Sequence, residues 1–236
     1  MPSDPTESRW LGNLLEFAVP PLCLGCGDFT RNPNQICDQC YGRIDRYTEP
    51  FCLKCKHQIF DSMVCPNCER DSWLLFAYGN YIDPLKEVVV HFKFRGITNA
   101  CDFAAKELHE QFSEMIYTLE PTYLVPVPLH PIRELMRGYN QAELFANQIG
   151  KLFSLPVATG FVRRTKRRKE QARLHELERE SNIRGVFEAT ADADPGERVI
   201  LVDDVVTSGA TVTEVRRVLI DAGFDVPACI SMAHGA

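Results

Sequence analysis

The chain has 236 residues, 45% of them apolar, and a formal net charge of −6 at neutral pH, which suits one sizeable domain or a domain with a small added module. The acidic balance excludes a protein that coats nucleic acid over its whole surface, and no stretch nears the ~18 uncharged apolar residues of a membrane span. The opening Met1-Pro-Ser-Asp-Pro-Thr-Glu7 lacks the basic start and apolar run of a signal peptide, so a soluble, cytoplasmic protein is expected.

In chain order, the first feature is a cysteine-rich segment. Eight of the ten cysteines form four C-x2-C pairs, Cys23/Cys26, Cys37/Cys40, Cys52/Cys55 and Cys65/Cys68. Each pair lets two thiolates converge on one ion from a tight turn, and two pairs complete a tetrahedral site. The pattern repeats, with Cys-Leu-Gly-Cys26 echoed by Cys-Leu-Lys-Cys55. Two tandem ribbons over residues 15–70, each with a structural zinc ion, are therefore expected. Sequential pairing has the smaller loop-closure cost, but an interleaved cross-brace has compatible spacing. Disulfides do not suit a reducing compartment, and evenly spaced knuckles favour zinc over an iron–sulfur cluster. Four thiolates leave no open position for water, so the metal is scaffolding. Cys101 and Cys229 stand apart and read as small buried residues.

From residue 71 to 236 the pattern becomes α/β. Trp73–Tyr81 reads as strand or hairpin, and Pro84–Phe94 as a short helix ended by Arg95-Gly96. Ala104, Leu108, Phe112 and Met115 make one helical stripe, and Ala142, Phe145, Ile149 and Leu152 another. Strands are expected at Tyr123–Pro128, Phe161-Val162, Val186-Phe187, Val199–Val202 and Ala228–Met232. This alternation predicts a mainly parallel sheet with helices on both faces, whose ligands bind at the carboxyl ends of strands.

One such end stands out. The apolar run Val199-Ile-Leu-Val202 gives way to Asp203 and Asp204, and then to a small-residue turn, Thr207-Ser208-Gly209-Ala210-Thr211, that opens a helix. Backbone N–H groups at a helix N-terminus, with three hydroxyls, suit a phosphate. The acid pair can accept hydrogen bonds from vicinal sugar hydroxyls, so the arrangement suits a ribose 5-phosphate. The segment resembles the signature of type I phosphoribosyltransferases, which implies 5-phosphoribosyl-1-pyrophosphate (PRPP) as ligand. Ser208 departs from the second threonine common in that signature but keeps the hydroxyl.

Arg133 and Arg137 follow the strand Val125–Pro128 and would stand at the same sheet edge, where they can neutralise a pyrophosphate. His130 reads equally as a cap or a chemical group. Arg163-Arg-Thr-Lys-Arg-Arg-Lys169 has six basic residues in seven, and reads as a lid over the pyrophosphate, a nucleic-acid contact or a solvated loop.

Together, the cysteine knuckles, Lys93-Phe-Arg-Gly96, Val125-Pro-Val-Pro-Leu-His130, Arg137-Gly-Tyr-Asn-Gln-Ala142, the stretch Gln171–Phe187 and the acidic phosphate loop resemble the ComF family (ComFC and GntX-like proteins). That resemblance implies a double zinc ribbon on a type I phosphoribosyltransferase domain, linked to uptake or utilisation of DNA. It implies Asp203, Asp204 and Arg137 as catalytic residues. Thr207, Ser208, Gly209, Ala210, Thr211, Arg133 and Arg168 would bind PRPP, with Mg2+ between ribose and pyrophosphate. The alternative is a catalytically silent adaptor that binds PRPP and handles single-stranded DNA or a DNA-handling protein.

Overall fold

In a computed structural model, residues 22–32, 36–165, 185–194 and 196–235 are described. The central sheet holds β1 (Phe51–Cys52), β2 (Leu74–Asn80), β3 (Tyr123–Pro126), β6 (Arg198–Val206) and β7 (Asp225–His234), in the order β1-β2-β7-β6-β3. The strands β2, β7, β6 and β3 run parallel, and β1 is antiparallel to β2. This is the α/β, mainly parallel architecture expected. Along β6, Ile200 and Val202 pack into one core and Val199 and Leu201 into another. A strand covered on both faces needs such a continuous apolar run rather than an alternating one.

The first core is filled by helices α2 (Leu85–Phe94), α3 (Asp102–Thr118) and α5 (Gln141–Phe153), with Phe76, Phe92, Phe112, Phe145 and Phe153 fully buried. The second core lies under α6 (Ala210–Asp221), through Val212, Val215 and Leu219. Cys101 and Cys229 are buried, as small apolar residues would be. Asn140 sets the start of α5 by accepting from the Ala142 N–H at 3.1 Å, so the helix begins at Gln141. A seven-residue helix, α4 (Pro131–Arg137), precedes it. His130 caps α4 through Nδ1, which accepts from the Ile132 N–H at 3.2 Å.

Two expectations need correction. Phe161-Val162 and Val186-Phe187 do not join the central sheet. They belong to a separate antiparallel pair, β4 (Val162–Arg164) and β5 (Phe187–Ala189), which lays Val162 and Phe187 on the second core. The strand β6 also does not stop at Val202. It runs on to Val206 because β7 continues to pair with it, Asp203 opposite Ser231 and Val206 opposite His234. By contrast β3 ends at Pro126, opposite Val202. Asp203 and Asp204 are therefore strand residues, placed where β6 outruns its neighbour.

The cysteine-rich segment, which carries the short first helix α1 (Asp38–Arg43), packs onto the same sheet. Its strand β1 pairs with β2, and beside it Tyr47 donates from N–H to the Tyr78 carbonyl at 3.1 Å and Asn80 to that of Asp45 at 2.8 Å. Ile36, Ile44 and Ile59 share the first core with Phe76 and Tyr78. Among the described residues no helix is long and apolar enough to cross a membrane.

Candidate functional site

The eight paired cysteines form two groups, Cys23, Cys26, Cys37 and Cys40, then Cys52, Cys55, Cys65 and Cys68, with the sulfurs of each group within 4.8 Å of one another. Pairing is thus sequential and the interleaved arrangement is not adopted. The Sγ atoms of Cys26 and Cys37 lie 3.9 Å apart and those of Cys55 and Cys65 3.4 Å. About 3.8 Å is the edge of a tetrahedron with zinc–sulfur bonds near 2.3 Å. Burial raises the Cys23 thiol, but N–H groups of Cys37, Cys26 and Gly25 outweigh it and lower the thiol to about 6. Burial is likewise outweighed at Cys52, which falls to about 7 under N–H groups of Cys55, Trp73 and Lys54. Burial and the neighbouring sulfurs push Cys68 up to about 12 and Cys40 still higher. Such crowding holds four thiolates only around a cation, so the residues fit Zn2+.

The second centre lies at the carboxyl end of β6. Asp203 is half-buried and its Oδ1 accepts from the Asp204 N–H at 2.8 Å. Asp204 is only 8% exposed and pairs through Oδ1 with Lys93 Nζ at 3.0 Å. Desolvation, and then the Asp204 carboxylate, push Asp203 up to about 8 against the pull of Lys93 and the Asp204 N–H. Lys93 balances Asp204, and Asp203 keeps a proton that it can exchange for a divalent cation.

A cavity of about 200 Å3 opens here, lined by Asp203, Val205, Val206 and the loop from Thr207 to Val212. Gly209, at the N-cap of α6, has φ +80°, a left-handed conformation that lets the loop turn into the helix. The site thus joins Asp203 to Thr207, Ser208, Gly209, Ala210 and Thr211 around one space. A neighbouring cavity of about 570 Å3 is lined by Lys93, Phe94, Gly96, Arg133, Met136, Arg137 and Tyr139. Lys93 links the two, lining the larger and pairing with Asp204, the buried neighbour of Asp203, which does not itself line the smaller. Arg137 is fixed from two sides: its guanidinium lies 4.6 Å over the Phe94 ring, and Nη1 donates to Gln141 Oε1 at 2.7 Å. Gln141 is buried, so this guanidinium has a rigid support. Arg133 lines the same cavity. Arg168 and Lys166–Lys169 lie outside the described residues. Of the rest of that run, Arg163 is ion-paired with Glu188 and Arg164 lies 5.3 Å over the Phe187 ring.

Reading the residues missed Lys93 and Gln141, which were noticed only inside motifs, and Lys56, whose Nζ donates to the Ser208 carbonyl at 2.7 Å. A lysine one position after a buried Phe92, at the last turn of a helix aimed at the sheet edge, is the signal Lys93 offered. Lys56 offered none.

The chain matches the double zinc ribbon domain over residues 14–69 and the phosphoribosyl transferase domain over residues 95–236. It is 30% identical over 213 residues to competence protein F of Haemophilus influenzae, spanning 86% of this chain and 92% of that protein. It is 29% identical over 206 residues to competence protein ComFC of Bacillus subtilis, spanning 83% and 82%. It is 25% identical over 205 residues to the DNA utilization protein YhgH of Escherichia coli, spanning 86% and 85%. A double zinc ribbon joined to a phosphoribosyl transferase domain, with relatives of this likeness over most of their length, makes the chain a member of the ComF family.

Proposed function

We propose that the chain binds PRPP and transfers its phosphoribosyl group to an acceptor nucleophile, as a cytoplasmic enzyme serving DNA uptake or utilisation. The observation that carries this reading is Asp203 of β6, next to Asp204 in the strand, set beside a hydroxyl-lined loop at the N-terminus of α6. The 5-phosphate sits on Thr207–Thr211, and the ribose hydroxyls donate to Asp203 and Asp204. Arg133, Arg137 and Lys93 face the pyrophosphate from the larger cavity. Asp203 and Asp204 would hold Mg2+, which would supply positive charge to offset the charge of the phosphates. The acceptor's lone pair forms the new bond to the anomeric carbon while the old carbon–oxygen bond breaks, and pyrophosphate leaves with that electron pair. The carboxylates favour the positive charge that builds at the anomeric carbon, and the guanidiniums favour the negative charge that leaves. Calorimetry with PRPP and Mg2+ tests this: Asp203→Asn with Asp204→Asn should weaken binding by about a hundredfold, the order of two charged hydrogen bonds. Unchanged binding would refute the placement.

A second reading is supported by the names of the relatives, which concern competence and DNA utilisation. In it the ribbons and the basic run contact single-stranded DNA or a DNA-handling partner while PRPP serves as a regulatory ligand. The engagement of Arg163 by Glu188 and of Arg164 by Phe187 leaves less of that run to bind phosphates, which favours the enzyme.

A further inference from the structure

The second metal knuckle and the phosphate loop touch, although 152 residues separate Lys56 from Ser208. The knuckle fixes Lys56 at both ends. Its backbone N–H donates to the Cys52 carbonyl at 2.8 Å, and its φ of +63° turns the chain just past Cys55. Its ammonium then donates to the Ser208 carbonyl at 2.7 Å. Leu53, inside the same knuckle, is buried in the core that also holds Val206 and Val212, the residues at either end of the loop. A Cβ at Gly209 would lie 3.1 Å from Lys56 Nζ and 3.5 Å from Leu53 Cδ2, so the knuckle packs close enough to the loop to fill the space a side chain would take.

The side of contact matters. The cavity is lined by Asp203, Val205, Val206 and residues 207–212, and not by the knuckle. Lys56 therefore grips the loop from behind. The Ser208 carbonyl belongs to the same peptide unit as the Gly209 N–H, and in a trans peptide the two point in opposite directions. Holding that carbonyl toward the knuckle turns the Gly209 N–H away from it, to the side where a phosphate would sit. A charged donor on the carbonyl also polarises the peptide and strengthens its N–H as a donor.

We propose that Lys56 is a positioning residue for the phosphate loop, so that the metal site of Cys52, Cys55, Cys65 and Cys68 is coupled to sugar-phosphate binding. The proposal rests on the reading of Thr207–Thr211 as a phosphate site. It assigns the metal ribbon a part in ligand binding that no cysteine supplies directly. Because coupling between sites is reciprocal, a bound sugar phosphate must also raise the affinity for that metal.

The test uses the full zinc-loaded chain and ribose 5-phosphate, with the variants Lys56→Met and Lys56→Arg. The methionine keeps the apolar stem and loses the donor, and the arginine keeps a charged donor. Affinity should fall about tenfold in Lys56→Met and return to near the original value in Lys56→Arg, the order of one hydrogen bond to a charged group. At equilibrium, saturating ribose 5-phosphate should raise the chelator concentration needed to remove one of the two zinc equivalents in the original chain and in Lys56→Arg, but not in Lys56→Met. Equal affinity in Lys56→Met and the original chain overturns the proposal. So does an equal fall in both variants with loss of zinc, which marks a folding defect alone. An original chain that does not bind ribose 5-phosphate overturns the phosphate reading itself, before any variant is compared.

Discussion

Replacing Asp203 by Asn should favour the stability of the ligand-free protein more at alkaline than at acid pH, while weakening its site. The folded chain holds the proton of Asp203 up to about 8, whereas an unfolded chain releases it near 3.8. Between those values the folded state binds one proton more than the unfolded state, so stability falls as pH rises from about 4 to about 8 and is level outside that window. The two values differ by about four decades, each worth about 1.4 kcal/mol, which sets a ceiling of about 6 kcal/mol. Asp203 is half-buried beside an open cavity and close to Lys93, so the expected effect is about 2 kcal/mol. For a chain of this length that is roughly 4–8 °C in Tm. Thermal melts of the zinc-loaded protein at pH 5 and pH 8.5, without Mg2+ or PRPP, measure it. The difference between Asp203→Asn and the original chain isolates this residue, because other titrating groups cancel. The advantage of Asn over Asp should grow by about 2 kcal/mol between pH 5 and pH 8.5. Parallel curves would show that Asp203 titrates normally and that the acid pair is not under electrostatic stress.

Two further outcomes follow from the same contacts. Lys93→Met removes the cation held 3.0 Å from Asp204, whose side chain is 12% exposed, and should lower stability by about 2 kcal/mol near neutral pH. A denaturant midpoint unchanged by Lys93→Met would mean the pair is already screened by water. Metal analysis should find about two zinc ions per chain, one for each group of four cysteines, and a strong chelator should abolish cooperative melting; iron in place of zinc would contradict the assignment.

What could be read from residues alone was the part written locally. The run Val199–Val202, the acid pair and the loop to Thr211 are contiguous, and each step has one physical meaning, so strand, turn and helix were placed together. The cysteine spacing announced two tetrahedral sites, yet both pairings satisfy it, and only the packing of the knuckles decides. The length of β6 was hidden because Asp203 and Asp204 interrupt an apolar run that Val205 and Val206 resume, with β7 supplying the hydrogen bonds. The β4/β5 pair was misplaced because a short apolar dipeptide carries no sign of which sheet it joins. Lys93 and Lys56 act across the chain on Asp204 and Ser208, and no pattern along the chain records such meetings.

The antiparallel strand β1 has a protective consequence. The segment Leu74-Leu-Phe-Ala-Tyr-Gly-Asn80 is apolar and long enough to template association with other chains, and its outer hydrogen bonds go to residues 45–52 of the metal ribbon. Losing the ion therefore does more than loosen a small appendage: it uncaps an adhesive rim. Cells short of the metal would meet this protein as a solubility problem as well as a binding one.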